Sequence, residues 1–288
     1  MKISELITSR KYIYWNDSIL LALNMLAGVR KHSPYRLPIV DRSLRIKGMI
    51  TGRRILEVLI GRRGFSLRRR EGLAELLREE VSLFCDEAQN VFHEHTPAQA
   101  VARYMAENAI GTVFIVDENG VFKGIVEESS LLRRMRGKRF NVKVEDVMRK
   151  EVLSINPEAS LLKAANLMVD ERVRRLPVVV EGEAVGIITV TDILHHILAE
   201  EKHVSMMLDK VEVAHILGGF VKGIMERKLA KVDPKSDIGT AAEEILNRDV
   251  SALLATKRKR LEGILSRVDL ISGLAKVAGI QALLRLVD

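Results

Sequence analysis

Two short runs carry residue types that could hold a nucleotide. Gly186-Ile187-Ile188-Thr189-Val190-Thr191-Asp192 and Gly263-Ile264-Leu265-Ser266-Arg267-Val268-Asp269 match nearly position for position. In each, a hydroxyl residue precedes an aspartate at the same interval: Thr189 and Asp192, Ser266 and Asp269. The apolar stretch before the hydroxyl predicts a short strand that opens directly into a helix. A helix start offers backbone N–H groups without intrahelical partners and a positive dipole end, which suits a phosphate. A carboxylate at the same turn can accept hydrogen bonds from a diol such as ribose. The competing use of these residues is helix capping by Thr191 or Asp192, which needs no ligand. Thr189 repeats together with Asp192, and a cap alone does not demand it, so the pattern favours a nucleotide.

Two weaker copies stand upstream, Gly48-Met49-Ile50-Thr51-Gly52-Arg53-Arg54 and Gly124-Ile125-Val126-Glu127-Glu128-Ser129-Ser130. The glycines at 48 and 186 are 138 residues apart, and those at 124 and 263 are 139 apart. Neighbouring intervals alternate, at 76, 62 and 77. A pair of units was therefore duplicated, and an internal repeat of this kind decides the architecture before any other reading. Arg36-Leu37-Pro38-Ile39-Val40 matches Arg175-Leu176-Pro177-Val178-Val179, and Ser18-Ile19-Leu20-Leu21-Ala22 matches Ser160-Leu161-Leu162-Lys163-Ala164. The units are expected at 1–66, 78–137, 142–200 and 218–276, in modules 1–139 and 140–288.

The elements that must position the sites are clearest in the third unit. Val152 to Ile155 is predicted as a brief strand ended by Asn156-Pro157. Ser160 to Asp170 carries apolar residues at helical spacing. Leu176 to Val180 has the β-branched composition of a buried strand. Glu181-Gly182-Glu183 is predicted as a turn, so that Ala184 to Thr189 returns as a hairpin partner. A helix then runs through Leu198.

The strand-helix-strand-strand-helix order and the Gly-h-h-Thr/Ser-x-x-Asp ending (h, apolar) resemble the CBS domain, named after cystathionine β-synthase. The resemblance covers most of the chain and is best in the third and fourth units. It implies an α/β fold of four β-α-β-β-α units, paired through their sheets into two Bateman modules and disc-shaped, with a layout similar to the gamma subunit of AMP-activated protein kinase. It also implies clefts shared between paired units. The Asp position would bind ribose and the Thr position would lie near phosphate. Ser154, Ile155, Val173, Arg174 and Arg175 in the third unit, and Lys231, Val232, Val250, Ser251 and Ala252 in the fourth, would contact base and phosphates. One phosphate contact is expected from the Arg174-Arg175 pair, since guanidinium groups grip phosphate oxygens with parallel hydrogen bonds.

The first module departs from this pattern. Thr51 is kept, but Arg54 replaces the aspartate; Glu127 and Ser130 take the Thr and Asp positions of the second unit. A carboxylate beside a phosphate pocket repels the ligand. The first module is thus expected either to be structural or to take another anion through Arg53 or Arg54.

Length and composition set the remaining bounds. A chain of 288 residues has room for about two ordinary domains. Hydrophobic residues make up 47% and aromatic residues 4%, so the core must be aliphatic. No apolar run is long enough for a transmembrane helix. Met1 to Arg10 lacks a signal-peptide stretch, and the single cysteine, Cys85, cannot form an intrachain disulfide, so a cytoplasmic setting is expected. The formal charge is +8, with basic clusters at Arg53-Arg54, Arg62-Arg63, Arg68 to Arg70, Arg133 to Arg139 and Lys257 to Arg260. Such clusters are more often solvated surface than an anion-binding face, although they would attract nucleic acid.

No zinc spacing, P-loop or nucleophile motif is present, and His195 and His196 lack companion ligands. An enzyme is therefore the least expected class, and no cofactor is required. The leading expectation is a regulatory sensor of AMP, ADP, ATP or S-adenosylmethionine that acts on a separate effector protein, alone or as a homodimer. The alternatives are a nucleic-acid-binding regulator and a structural scaffold without ligand.

Overall fold

Four times along the chain, β-branched runs alternate with helices of amphipathic period, and each set folds as one small unit. The computed structural model describes residues 1–27, 36–63, 73–204 and 213–288. The first unit follows β1 (Ile7–Ser9) and contains β2 (Ile13–Tyr14), α1 (Ile19–Ala27), β3 (Arg36–Val40), β4 (Ile46–Thr51) and α2 (Gly52–Leu59). The second contains β5 (Val91–His93), α3 (Ala98–Glu107), β6 (Thr112–Val116), β7 (Phe122–Glu127) and α4 (Glu128–Met135). The third has α5 (Leu161–Asp170), β8 (Arg175–Val180), β9 (Glu183–Thr189) and α6 (Val190–Val204). The fourth has β10 (Lys231–Val232), α7 (Ile238–Arg248), β11 (Ala252–Lys257), β12 (Arg260–Ser266) and α8 (Arg267–Val277). The fold is mixed α/β.

In the first, second and fourth units a parallel strand flanks an antiparallel hairpin, in the orders β2-β3-β4, β5-β6-β7 and β10-β11-β12. The third unit differs from the expectation of a strand over 152–155. Only Ile155 pairs, in a single parallel bridge to Val178. Asn156 and Pro157 turn the chain away at once, and proline has no N–H with which to extend a ladder.

The hairpins distinguish the two modules. In the third and fourth units the connection is two residues, Glu181-Gly182 and Arg258-Lys259, all with positive φ. Such turns match the twist of the strands they join. Val180 pairs with Glu183, so Glu183 belongs to the returning strand and not to the turn. In the first module the loops are longer and organised by an aspartate. Asp41 accepts from the backbone N–H groups of Ser43 and Arg45, and Asp117 from those of Asn119 and Val121.

Segments that lead into one unit dock on the sheet of its module partner. β1 pairs with β7 of the second unit, and Asp86, which leads into the second unit, bridges Met49 of the first. In the second module Arg149 bridges Ile264 and Glu226 bridges Ile187. This exchange accounts for the repeated glycines. A Cβ on Gly186 would stand 2.5 Å from Met225 Sδ, and one on Gly263 would stand 2.5 Å from Met148 Sδ. Gly48 and Gly124 face Asp86 and Ile7 in the same way. The sheets of the third and fourth units also join edge to edge, where Arg260 of β12 pairs with Glu183 of β9.

The aliphatic cores cross between modules. One packs Leu23, Leu56 and Leu59 of the first unit against Leu161, Ile193 and Leu194 of the third. The other packs Val101, Leu131 and Met135 of the second unit against Ile245, Leu270 and Leu274 of the fourth. A smaller cluster of Val40, Phe114, Phe122 and Ile125 joins the first and second units. Each unit therefore touches two others, in the cyclic order one, two, four, three. Full burial of one such side chain stabilises by about 1.5–3 kcal/mol, so these contacts dominate the assembly. Among the described residues no helix is long and apolar enough to cross a membrane.

Candidate functional site

At the start of α6, Thr189 and Asp192 form a reciprocal cap. Thr189 Oγ1 accepts from the Asp192 N–H at 3.3 Å, while Asp192 Oδ2 accepts from the Thr189 N–H at 2.9 Å and from its hydroxyl at 2.7 Å. This arrangement satisfies donors at both ends of the turn. The cap residue is thus Thr189 and not Thr191, which lies inside the helix. Ser266 and Asp269 repeat the geometry at α8, with Asp269 Oδ2 accepting from the Ser266 N–H at 2.8 Å and from its hydroxyl at 2.5 Å. Capping and ligand binding do not exclude one another, because a carboxylate has two oxygens and about four lone-pair sites.

Strand register brings the expected basic residues to the same place. Arg175 is the ladder partner of Thr189, and the carbonyl of Arg174 accepts from the N–H of Val190, the first residue of α6. Val173, Arg174 and Arg175 are all half-buried. Ser154 is exposed, beside buried Ile155. In the fourth unit Ala252 is the partner of Ser266, Lys231 and Val232 pair with Leu254 and Ala255, and the Val250 carbonyl accepts from Arg267 Nε at 3.0 Å. Ser251 precedes β11 and is half-buried. No arginine occupies the position of Arg175 here; Ala252 stands there instead.

In the first unit Thr51 caps α2 by accepting from the Arg54 N–H at 3.1 Å. The Arg54 guanidinium is not offered to a ligand: it pairs with Asp86 of the exchanged segment and with Glu57. Arg53 donates to the Arg172 carbonyl of the third unit at 3.0 Å. The ladder partner of Thr51 is Arg36, the counterpart of Arg175. Arg36 is largely buried, and its Nη1 has no hydrogen-bond partner. Burial, with the neighbouring charges of Arg174 and Arg53, pushes its pKa down; Glu128 opposes the shift. Three guanidinium groups from two modules are therefore neighbours. Sequence reasoning used Arg36 only as a landmark of the repeat, yet the match of Arg36-Leu37-Pro38 to Arg175-Leu176-Pro177 was the signal that could have placed it here.

The second unit has the opposite sign. Burial pushes the Glu127 carboxyl up, and the adjacent Glu128 adds to the shift, against the Thr8 hydroxyl, Arg267 and Arg133. Thr8 donates to Glu127 Oε2 at 3.1 Å. Glu128 is buried at 2% exposure, and its Oε2 has no hydrogen-bond partner.

Several basic clusters serve as ties. Arg62 reaches Asn166 and Asp170 of the third unit, Arg63 reaches Asp86, and Arg136 reaches Glu243 of the fourth. Arg68 to Arg70 lie outside the described residues. His195 Nδ1 and His196 Nε2 each sit 3.2 Å from a backbone carbonyl, of Ala27 and Ile216. Among the described residues no group of three or more His, Cys, Asp or Glu side chains could hold a metal.

The model of the CBS domain family matches residues 90–137, 144–199 and 221–276, more than half of the chain. The chain belongs to the CBS domain family. The first unit lies outside that match. A 33.4 kDa protein in a ribosomal RNA operon of Thermofilum pendens is 26% identical over 265 residues, covering 91% of this chain and 88% of that one. The crystal structure of MJ1225 from Methanocaldococcus jannaschii, proposed to be an archaeal homologue of g-AMPK, superposes with a TM-score of 0.83 at 22% identity. It covers 94% of this chain and 99% of that one. A conserved protein from Pyrococcus horikoshii has a TM-score of 0.60 at 18% identity, over 95% of this chain and 100% of that one. These structures share the CBS-pair fold.

Proposed function

We propose that the chain is a regulatory, non-catalytic receptor for an adenosine-containing ligand (AMP, ADP, ATP or S-adenosylmethionine) and that the cleft of the third unit is its principal site. The observation that carries this reading is the junction of β8, β9 and α6. There Asp192 and Thr189 share a helix start with Arg174 and Arg175, Arg36 of the first unit comes up beside Arg174, and Arg53 reaches the Arg172 carbonyl. A carboxylate for the ribose diol and guanidinium groups for phosphate then lie within one junction. Ligand binding across units alters their relative placement only by its difference in affinity for two arrangements. A separate effector protein would read that change. Many of the basic residues are engaged in ion pairs within the chain, which leaves the nucleic-acid reading without a specific observation in its favour.

Calorimetric titration with the four ligands, beside Asp192→Asn, tests the proposal. Asparagine keeps an acceptor for the cap and removes the charge. Binding that falls at least tenfold in the variant, with an unchanged unfolding midpoint, supports the site. Equal binding by parent and variant reduces Asp192 to a helix cap and refutes the assignment.

A further inference from the structure

In the fourth unit both oxygens of the candidate ribose acceptor are occupied within the chain. Asp269 Oδ2 takes the N–H and hydroxyl of Ser266, and Oδ1 accepts from Arg149 Nε at 3.1 Å. Arg149 does not belong to the fourth unit. It lies on the exchanged segment that leads into the third, where its N–H donates to the Ile264 carbonyl and its carbonyl accepts from the Ile264 N–H, both at 3.0 Å. The first module carries the same contact with its charges reversed. Asp86 makes the equivalent two-way bridge to Met49, and its carboxylate pairs with Arg54, which stands where Asp269 stands in the fourth unit. Two copies of opposite polarity show that this position of the exchanged segment reaches the helix residue three past the cap.

We propose that Arg149 is a built-in competitor for the fourth cleft: with Oδ2 taken by Ser266, it fills one of the sites left on Oδ1, so a ribose diol gains the whole of that oxygen only when the guanidinium swings away. This rests on the adenosine reading given above and adds what guards the carboxylate of the fourth cleft. The side chain of Arg149 is 64% exposed against 12% for Asp269, so the arginine can leave while the carboxylate stays in place. An exposed pair of this kind is weak, which makes the competition reversible and places its effect at about two- to fivefold in affinity. Displacing Arg149 also removes an ion pair between the third unit's leading segment and α8, while the packing of Val147 against Gly273 stays.

Adenosine is the probe that isolates this effect, because it has the diol and no phosphate for Arg149 to attract. Titrations would use the full chain in an Asp192→Asn background, adding Arg149→Gln, Arg149→Lys, or Arg149→Gln with Asp269→Asn. Arg149→Gln is expected to tighten adenosine two- to fivefold, Arg149→Lys to stay near the background, and Asp269→Asn to cancel the gain. Unchanged or weaker binding in Arg149→Gln, with a native unfolding midpoint, overturns the competitor while parental binding lost in Asp192→Asn leaves the ligand reading intact. Absence of binding in the parent and every variant overturns both.

Discussion

Gly186→Ala is expected to destabilise the second module through one contact that can be identified and then relieved. The added Cβ would stand 2.5 Å from Met225 Sδ and 3.1 Å from its Cγ, with the Glu226 carbonyl at 3.3 Å. Ordinary non-bonded contact lies at about 3.5–4.0 Å, so the overlap with sulfur is roughly 1 Å. Overpacking of this size costs about 1–3 kcal/mol. Methionine is flexible and gives way, which places Gly186→Ala in the lower part of that range. Gly48→Ala belongs at the upper end, because its nearest neighbour at 2.8 Å is the Asp86 carbonyl, a backbone group already bonded to Met49. For a chain of this size each kcal/mol lowers the melting temperature by about 2–4 °C. Urea and thermal unfolding of both variants, of Met225→Ala and of Gly186→Ala with Met225→Ala would measure the coupling. A favourable coupling of about 1 kcal/mol is expected between Gly186→Ala and Met225→Ala, since contacting residues are not additive. Gly223→Ala, whose Cβ meets nothing within 4 Å, is the control and should be neutral or slightly stabilising. An unperturbed Gly186→Ala, or zero coupling to Met225, would refute the assignment of the repeated glycines to segment docking.

Leu194→Ala removes a fully buried side chain between the first and third units and should cost about 2–5 kcal/mol by urea unfolding. Asp117→Ala should lower the unfolding midpoint at pH 7, because the Val121 N–H and Lys123 hold that carboxyl below the usual carboxylate range. A depressed folded pKa gives stability that is present above the ordinary value and lost as pH falls, so the gap to the parent should close in acid. Glu127→Gln has the opposite sign: burial raises the folded pKa, so the parent loses stability as pH rises through the ordinary carboxylate range. The variant should be more stable than the parent at pH 7 and equal to it below that range, which midpoints measured across pH would show.

The unit plan was legible where local signals agree. Leu176 to Val180 and Ser160 to Asp170 appear as a strand and a helix, with Ser160 accepting from the Lys163 N–H to start the helix. What the sequence hid was non-local. The glycines at 48, 124, 186 and 263 mark the repeat, but their cause is a segment from another unit, which no window around the glycine contains. Arg54 looks like a lost ribose acceptor; its partner Asp86 lies 32 residues away and becomes visible only when the segments are seen to exchange. Thr191 and Asp192 compose a good helix start by type, two and three residues past the true boundary. The bond geometry instead puts Thr189 at the boundary, where the strand's last residue is also the helix's first acceptor. The short strand before Asn156 fails for a local reason, the immediate turn at Pro157.

Hydrogen-bonded sheets hold the molecule together within each module, whereas the two large aliphatic cores run between modules. A chain cut near residue 139 would give halves with complete hairpins and a bare apolar face made of helices. Such a face needs a second copy to cover it. The duplication written in the 138- and 139-residue spacing therefore has a history that the packing constrains. Two copies of such a half would cover each other through these helices, and fusion places that contact within a single chain. Once joined, the halves were free to diverge at positions where symmetry had formerly forced every change to occur twice. Arg54 of the first unit and Asp192, its counterpart in the third, are such a difference.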